Sequence, residues 1–312
     1  MQGDPHRDAV TGCPDHVREA KRRGPQTGVA VRDKQLSIRF WGTRGNAAPL
    51  APSLEFGNHT TCAEIRAEGM PALLIDLGTG AIGAGARLLD EAVREFDVFL
   101  THLHIDHLQG LFSFAPFYCA GCRVRLRAAR LDVKPALTTL LAAPFHPVPL
   151  DRLAAKLDFI QMPEQGSAPF PKSGVTVSWA PLAHPQGCTG YRFDDGTNAI
   201  VFATDVELGA LVSHAPLEGL LQEPYPAGLA VLDGFFTDDE IDQYADWGHS
   251  SWGQARDLGR RTGIRTVMVT HHHPNQTDEK LRAHETEGRP LRWARDDEAV
   301  ILARNRVVAQ SG

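Results

Sequence analysis

The chain has 312 residues, 42% hydrophobic and 22% charged, which is ordinary globular usage and excludes a disordered, collagen-like or coiled-coil chain. Its 32 basic and 38 acidic residues leave a net charge of −6. That balance argues against a generic basic face for nucleic acid.

No apolar stretch reaches the roughly 18 residues of a membrane-spanning helix, so no membrane association is expected. The N-terminus shows no apolar signal-peptide segment. The five cysteines, at positions 13, 62, 119, 122 and 188, suggest no disulfide framework, and a cytoplasmic location is expected. Fourteen histidines against four tyrosines and four methionines point toward metal chemistry. At about 150 residues per domain the length alone suggests two domains, although one large layered domain is also allowed.

Residues 1–34 are rich in Gly, Pro, Asp, Arg and Lys without periodicity, and read as a flexible tail preceding one domain over 35–312. Order begins with the alternating run Leu36 to Trp41, ended by the turn Gly42 to Gly45. Further strands are predicted at Thr61–Ala67, Ala72–Leu77 and Val98–Thr101, with a helix from the Gly78–Gly80 turn to Phe96. A helix is predicted around Leu137–Ala143 between short strands and proline-rich turns. Apolar runs follow at Ala199–Ala203, Leu229–Leu232 and Thr266–Thr270, and Ser250–Thr262 reads as a helix stopped by Gly263. Alternating strands and helices indicate a layered α/β protein. Polar residues gather at the C-terminal ends of the apolar strands, where open α/β sheets carry their sites.

The sharpest signal is Thr101-His102-Leu103-His104-Ile105-Asp106-His107, with three histidines and an aspartate directly after a strand. In extended backbone His102 and His104 face the same way, and a turn brings Asp106 and His107 to a neighbouring point. Imidazole and carboxylate suit zinc, iron or manganese. A solvated polar loop is the bland alternative, but so crowded a pattern is costly without metal.

This segment resembles the HxHxDH signature of the metallo-β-lactamase superfamily. Phe40–Gly45 is similar to the family's FWGxRGS, with Asn46 in place of serine, and Phe56–Cys62 to its YGGNTSC, with His59 in place of asparagine. Asp76–Gly80 matches DxGTG. His184–Arg192 resembles HPxGxxGYR, Ala203–Asp205 resembles ATD, Gly248–Ser250 resembles GHST, and Thr270–Pro274 resembles the late histidine motif. The likeness runs from about Leu36 to about Thr277 and is closest to the phosphodiesterase-like branch that includes tRNase Z. It implies a four-layer αββα sandwich in one domain.

The resemblance further implies that His102, His104 and His184 hold one metal, that Asp106, His107 and His271 hold a second, and that Asp205 bridges them. Two divalent ions are therefore expected, zinc first, with manganese or iron as alternatives. In such sites a bridging water loses its proton and attacks, and both ions steady the developing charge. Taken alone, His184 is compatible with a surface histidine and Asp205 with a helix cap. His271, His272 and His273 compete for one role, which the family pattern gives to His271.

His249 stands apart from the ligands. The matching histidine in tRNase Z-like enzymes contacts the substrate phosphate, assisted by an acid that would here be Asp233. The carboxylate would raise the imidazole pKa, so that His249 binds phosphate and protonates the leaving oxygen; a purely structural pair is the alternative. Asp106, His249 and Asp233 are thus the expected catalytic residues, and Asp76 is read as a partner orienting a ligating histidine. Cys119 and Cys122 read as an incidental turn, Cys188 as an inert residue near the site, His59 as a pocket-lining or turn-capping residue, and Phe112, Phe114, Phe117, Phe145 and Phe170 mainly as core, with a substrate-pocket wall as the alternative.

The expected function is hydrolysis of a small or cyclic phosphodiester. No basic arm for gripping tRNA is evident, so tRNA 3′-processing is an alternative and nucleic acid a disfavoured partner. A lactonase or thioesterase, a diiron redox enzyme and a metal-bearing regulatory module that has lost turnover are the other readings. The redox reading is weakened by His104, where flavodiiron members usually carry an acid. A homodimer is allowed by the sequence.

Overall fold

The computed structural model describes residues 33–129, 132–171, 173–209, 213–285 and 291–311. The tail expected over 1–34 lies outside the described residues up to position 32. Asp33 and Lys34 are fastened to the domain: Asp33 pairs with Arg304 at 3.0 Å, and Lys34 Nζ donates to the Asp195 carbonyl at 2.9 Å.

The chain builds β1 (Gln35–Gly42), β2 (Cys62–Ala67), β3 (Leu73–Ile75), α1 (Ala81–Asp90), β4 (Glu95–Leu100), β5 (Arg123–Ala129), α2 (Val133–Leu140) and β6 (Lys156–Met162). It continues with β7 (Gly166–Pro169), β8 (Thr176–Leu182), β9 (Cys188–Asp194), β10 (Ala199–Ala203), α3 (Ala215–Gln222), β11 (Leu229–Asp233), α4 (Trp252–Thr262), β12 (Val267–Thr270) and α5 (Asp278–His284). Strands β13 (Leu291–Trp293), β14 (Ala299–Ala303) and β15 (Arg306–Ser311) close it.

Two sheets result. One runs β15-β14-β1-β2-β3-β4-β5-β6 and the other β13-β12-β11-β10-β9-β8-β7. Their inner faces share a core that includes Ile38, Phe40, Ile65 and Phe99 from the first sheet and Trp179, Phe193, Phe202, Val231 and Met268 from the second. The outer face of the first sheet packs through Leu74, Val98 and Leu126 on Ala84 and Leu88 of α1 and Leu137 of α2. The outer face of the second packs through Val201, Leu232 and Val269 on Leu220 of α3, Leu258 of α4 and Leu281 of α5. This is the αββα sandwich anticipated above. The alternating burial of β1 reflects its buried inner face, whereas β10 and β11 are buried on both faces and read as unbroken apolar runs.

Helix α1 ends earlier than expected. It stops at Asp90, Ala92 takes a left-handed φ of 57°, and Glu95 and Phe96 already belong to β4. The continuous apolar-polar mix had masked a helix-to-strand turn. Helix α4 is delimited as its sequence suggests. Ser251 and Gln254 form a reciprocal capping box at its start, and Gly263 ends it at φ 73°. No helix among the described residues is long and apolar enough to cross a membrane.

Candidate metal centre and active-site cleft

The C-terminal ends of five strands converge on one point. Strand β4 delivers His102, His104, Asp106 and His107, the last two on a 3-10 turn (Ile105–His107). Strands β8, β10, β11 and β12 deliver His184, Asp205, Asp233 and His271. Two bonds join the sheets beside this point: Thr189 N donates to the Thr101 carbonyl at 3.0 Å, and Tyr191 Oη to the Leu100 carbonyl at 2.6 Å.

The donor atoms of His102, His104 and His184 lie within 4.8 Å of one another, and so do those of Asp106, His107 and His271. The Asp205 carboxylate straddles the two triads. Oδ1 is 3.9 Å from both His102 Nε2 and His184 Nε2, whereas Oδ2 is 3.2 Å from His107 Nε2 and 3.4 Å from His271 Nε2. All seven residues named in the sequence are therefore brought together.

This donor set fits metal ions. His104 Nδ1 and His184 Nε2 face each other at 3.2 Å, as do His107 Nε2 and His271 Nε2. Ligands of a tetrahedral zinc with Zn–N of about 2.05 Å stand roughly 3.3 Å apart. His102 Nε2 and Asp205 Oδ2 are buried without a hydrogen-bond partner, and each such atom costs about 1–3 kcal/mol unless something satisfies it.

The outer nitrogens are tied back. His107 Nδ1 donates to Asp76 Oδ2 at 2.8 Å, His102 Nδ1 meets Thr101 Oγ1 at 3.0 Å, and His184 Nδ1 donates to the Gly248 carbonyl at 2.8 Å. These bonds fix the tautomers that aim the opposite nitrogens inward. The Asp76 carboxylate also accepts from Thr101 N and Thr101 Oγ1, both at 2.8 Å.

Electrostatics follow from burial and crowding. Burial pushes the Asp76 carboxyl up, against the opposing pull of His107. Burial would also raise Asp106 and Asp205, but neighbouring imidazoles hold both well below the usual carboxylate range: His107 and His271 around Asp106, and His271, His107 and His102 around Asp205. His107 is buried, yet Asp205, Asp106 and Asp76 together raise it. His102 and His184 are lowered, mainly by burial.

Asp233 is fully buried and acts as a hub. Oδ1 accepts from Phe235 N at 3.2 Å and Ser250 N at 2.8 Å; Oδ2 accepts from Asp205 N at 3.0 Å and His249 Nδ1 at 3.1 Å. Burial would lower His249, but Asp233, together with Asp205 and Asp106, raises it. The donor atoms of Asp205, Asp233, His249 and His271 also cluster within 4.8 Å, so the pair sits at the edge of the ligand set.

Three strand-end residues, Asp76, Asp205 and His271, hold left-handed φ values of 59°, 57° and 63°. The backbone presses close around them. A Cβ on Gly45 would lie 2.4 Å from the His271 ring, and one on Gly248 would lie 2.3 Å from that of His184.

The cleft over the cluster measures about 190 Å³ and is lined by Asn46, His104, Asp106, Asp205, Phe235, Trp247, His249, His271 and His273. Asn46 N donates to Asp106 Oδ2 at 2.7 Å. Of the three consecutive histidines, His272 is turned into the core, where it contacts the Ala294 carbonyl at 3.0 Å and is pushed down to about 3 by burial. His273 reaches the cleft.

The sequence reading did not find the cleft walls. Phe114, Phe117 and Phe170 are core, Phe145 is exposed, and neither Phe112 nor Phe145 lines the cleft. Phe235 and Trp247 do, and adjacency to Asp233 and His249 was their only signal. His59 lies outside the cleft, its amide bound to Asp296 Oδ2 at 3.0 Å. Cys188 is buried, and its thiol contacts the Thr204 carbonyl.

Residues 72–272 match the family model of the beta-lactamase superfamily domain. The chain belongs to this superfamily. The fold recurs in solved superfamily structures at low identity. The metallo-beta-lactamase fold protein YhfI from Bacillus subtilis is 16% identical, with a TM-score of 0.64 over 86% of this chain and 100% of that one. A diphosphatase from the PhnP family is 15% identical, with a TM-score of 0.62 over 86% of this chain and 97% of that one. The short form of human tRNase Z is 15% identical, with a TM-score of 0.61 over 86% of this chain and 98% of that one. No curated protein matches the sequence.

Proposed function

We propose that this superfamily member is a two-metal hydrolase acting on a small or cyclic phosphodiester. His102, His104 and His184 would hold one ion, Asp106, His107 and His271 the other, with Asp205 between them. Zinc suits this set, and manganese or iron could occupy it. When bound, such ions lower the pKa of water and neutralise charge developing on phosphorus-bound oxygens.

The observation that carries the reading is the pairing of His249 with Asp233 beside both triads. Asp233 occupies Nδ1 of His249 and so leaves Nε2 for substrate. From there His249 would hydrogen-bond a phosphate oxygen and pass a proton to the leaving oxygen. A carbonyl hydrolase has less need of this second, anion-directed imidazole. A diphosphatase and tRNase Z among proteins of the same fold support phosphorus chemistry as a class. A small substrate is favoured over RNA because no Arg or Lys among the described residues lines the cleft, and a phosphate polymer relies on such contacts.

The test is turnover of bis(p-nitrophenyl) phosphate by metal-free protein and by protein reconstituted with zinc or manganese. Activity should require metal. His249→Ala should lower kcat by about a hundredfold or more while metal stoichiometry stays intact. Faster turnover of lactones or thioesters, unaffected by His249→Ala, would refute the proposal.

A further inference from the structure

One residue of the cleft has no part in the chemistry just described. Trp247 lines the cleft wall and is 58% exposed. It is not a loose side chain on a loop. Its amide donates to the Tyr244 carbonyl at 3.3 Å, and its ring meets Tyr244 edge-on at 5.1 Å. Tyr244 stacks on Phe236 at 4.5 Å and 4°, and Phe236 packs edge-on against Phe235 at 4.9 Å. Phe235 in turn stacks on His249 at 4.3 Å. A ladder of rings thus props the indole beside the phosphate-directed histidine, and Gly248 pins the intervening backbone against His184.

The segment carrying Trp247 is strongly acidic. Between Thr237 and Trp247 stand Asp238, Asp239, Glu240, Asp242 and Asp246. Asp238 accepts from Gly253 N and Ser251 Oγ at the start of α4. Glu240 is occupied by Lys280 at 3.8 Å and by Gln276. Asp239, Asp242 and Asp246 are exposed and make no hydrogen bond or ion pair among the described residues. A half-exposed indole on a segment that bears unpaired carboxylates attracts a cation and repels additional phosphates.

We propose that Trp247 sorts substrates by seating a quaternary ammonium group, so that the preferred phosphodiester is of the choline type. The inference rests on the phosphodiesterase reading and refines it. The zwitterion places its phosphate at His249 and its onium group on the indole. In the reaction, a P–O bond forms from water and the P–O bond to the leaving alcohol breaks. One water proton ends on the leaving oxygen, and phosphorylcholine is the other product.

The test compares three p-nitrophenyl phosphodiesters on the metal-loaded full chain: the choline ester, its uncharged 3,3-dimethylbutyl isostere, and the thymidine 5′-ester. The choline ester should exceed the isostere about tenfold in kcat/KM. Trp247→Leu should bring that ratio to about one, Trp247→Phe should keep part of it, and Asp246→Asn should reduce it. Equal rates on charged and uncharged isosteres overturn the proposal, as does a preference for the thymidine ester that Trp247→Leu abolishes. If no ester turns over, the phosphodiesterase reading fails, and calorimetry with glycerophosphocholine decides this one separately. Heat seen with the native chain and lost in Trp247→Leu supports the onium seat; no heat with the native chain overturns it.

Discussion

The two sheets contribute to the metal centre in different ways. The first supplies four donors from one short loop after β4, where a strand end and a single 3-10 turn set every side chain. The second supplies His184, Asp205 and His271 one at a time, from the ends of β8, β10 and β12. Local geometry therefore governs one half of the centre, and the register of a whole sheet governs the other. A perturbation of the first half should stay local, whereas one in the second should spread to both triads through Asp205.

The sharpest way to break this contrast is to compare His104→Ala with Asp205→Ala. Removing Asp205 should cost more than about a hundredfold in turnover and deplete both ions. Removing His104 should deplete chiefly one, as metal analysis by mass spectrometry would show. Equal loss of both ions in the two variants would mean that the halves are not separable.

A milder change probes the support behind the first loop. Asp76→Ala deletes the carboxylate that holds His107 Nδ1 and the Thr101 hydroxyl and amide. Metal affinity in a competitive chelator titration should fall about ten- to a hundredfold. An unchanged affinity would show that the turn alone orients His107.

The smallest expected effect lies away from the centre. Asp278 accepts from Ser53 Oγ, Leu54 N and Glu55 N and so ties α5 to the loop between β1 and β2. Burial opposes its ionisation, but these hydrogen bonds hold its carboxyl below the ordinary value of 3.8. A depressed folded-state pKa gives stability that is present above 3.8 and lost as pH falls through the folded value. Asp278→Asn should therefore be less stable than the native chain at neutral pH, and the difference should shrink below pH 3.8. Denaturant midpoints measured against pH would check this.

The same contrast explains what the sequence disclosed. His102 to His107 are readable from the residues alone because their geometry is local. His184, Asp205 and His271 have no local mark, since each is one polar residue after an apolar strand, and only the resemblance to a known family singled them out. Among the three late histidines, the left-handed turn at His271 decides which ring faces the centre, and residue identity does not report that turn. A layered α/β protein was legible from the alternation of strands and helices and its αββα order only from the family resemblance, whereas the end of α1 was not legible, because Ala92 carries no composition signal for positive φ. Phe235 and Trp247 escaped notice because an aromatic residue is by default core.

The left-handed backbones at Asp76, Asp205 and His271 set selection for durability against selection for turnover. A non-glycine residue in that conformation costs about 1 kcal/mol or more, and glycine relieves it at no steric expense. A mutant library screened for heat resistance of the metal-free chain should therefore accumulate glycine or asparagine at these positions. A library screened for catalysis should return aspartate and histidine to them.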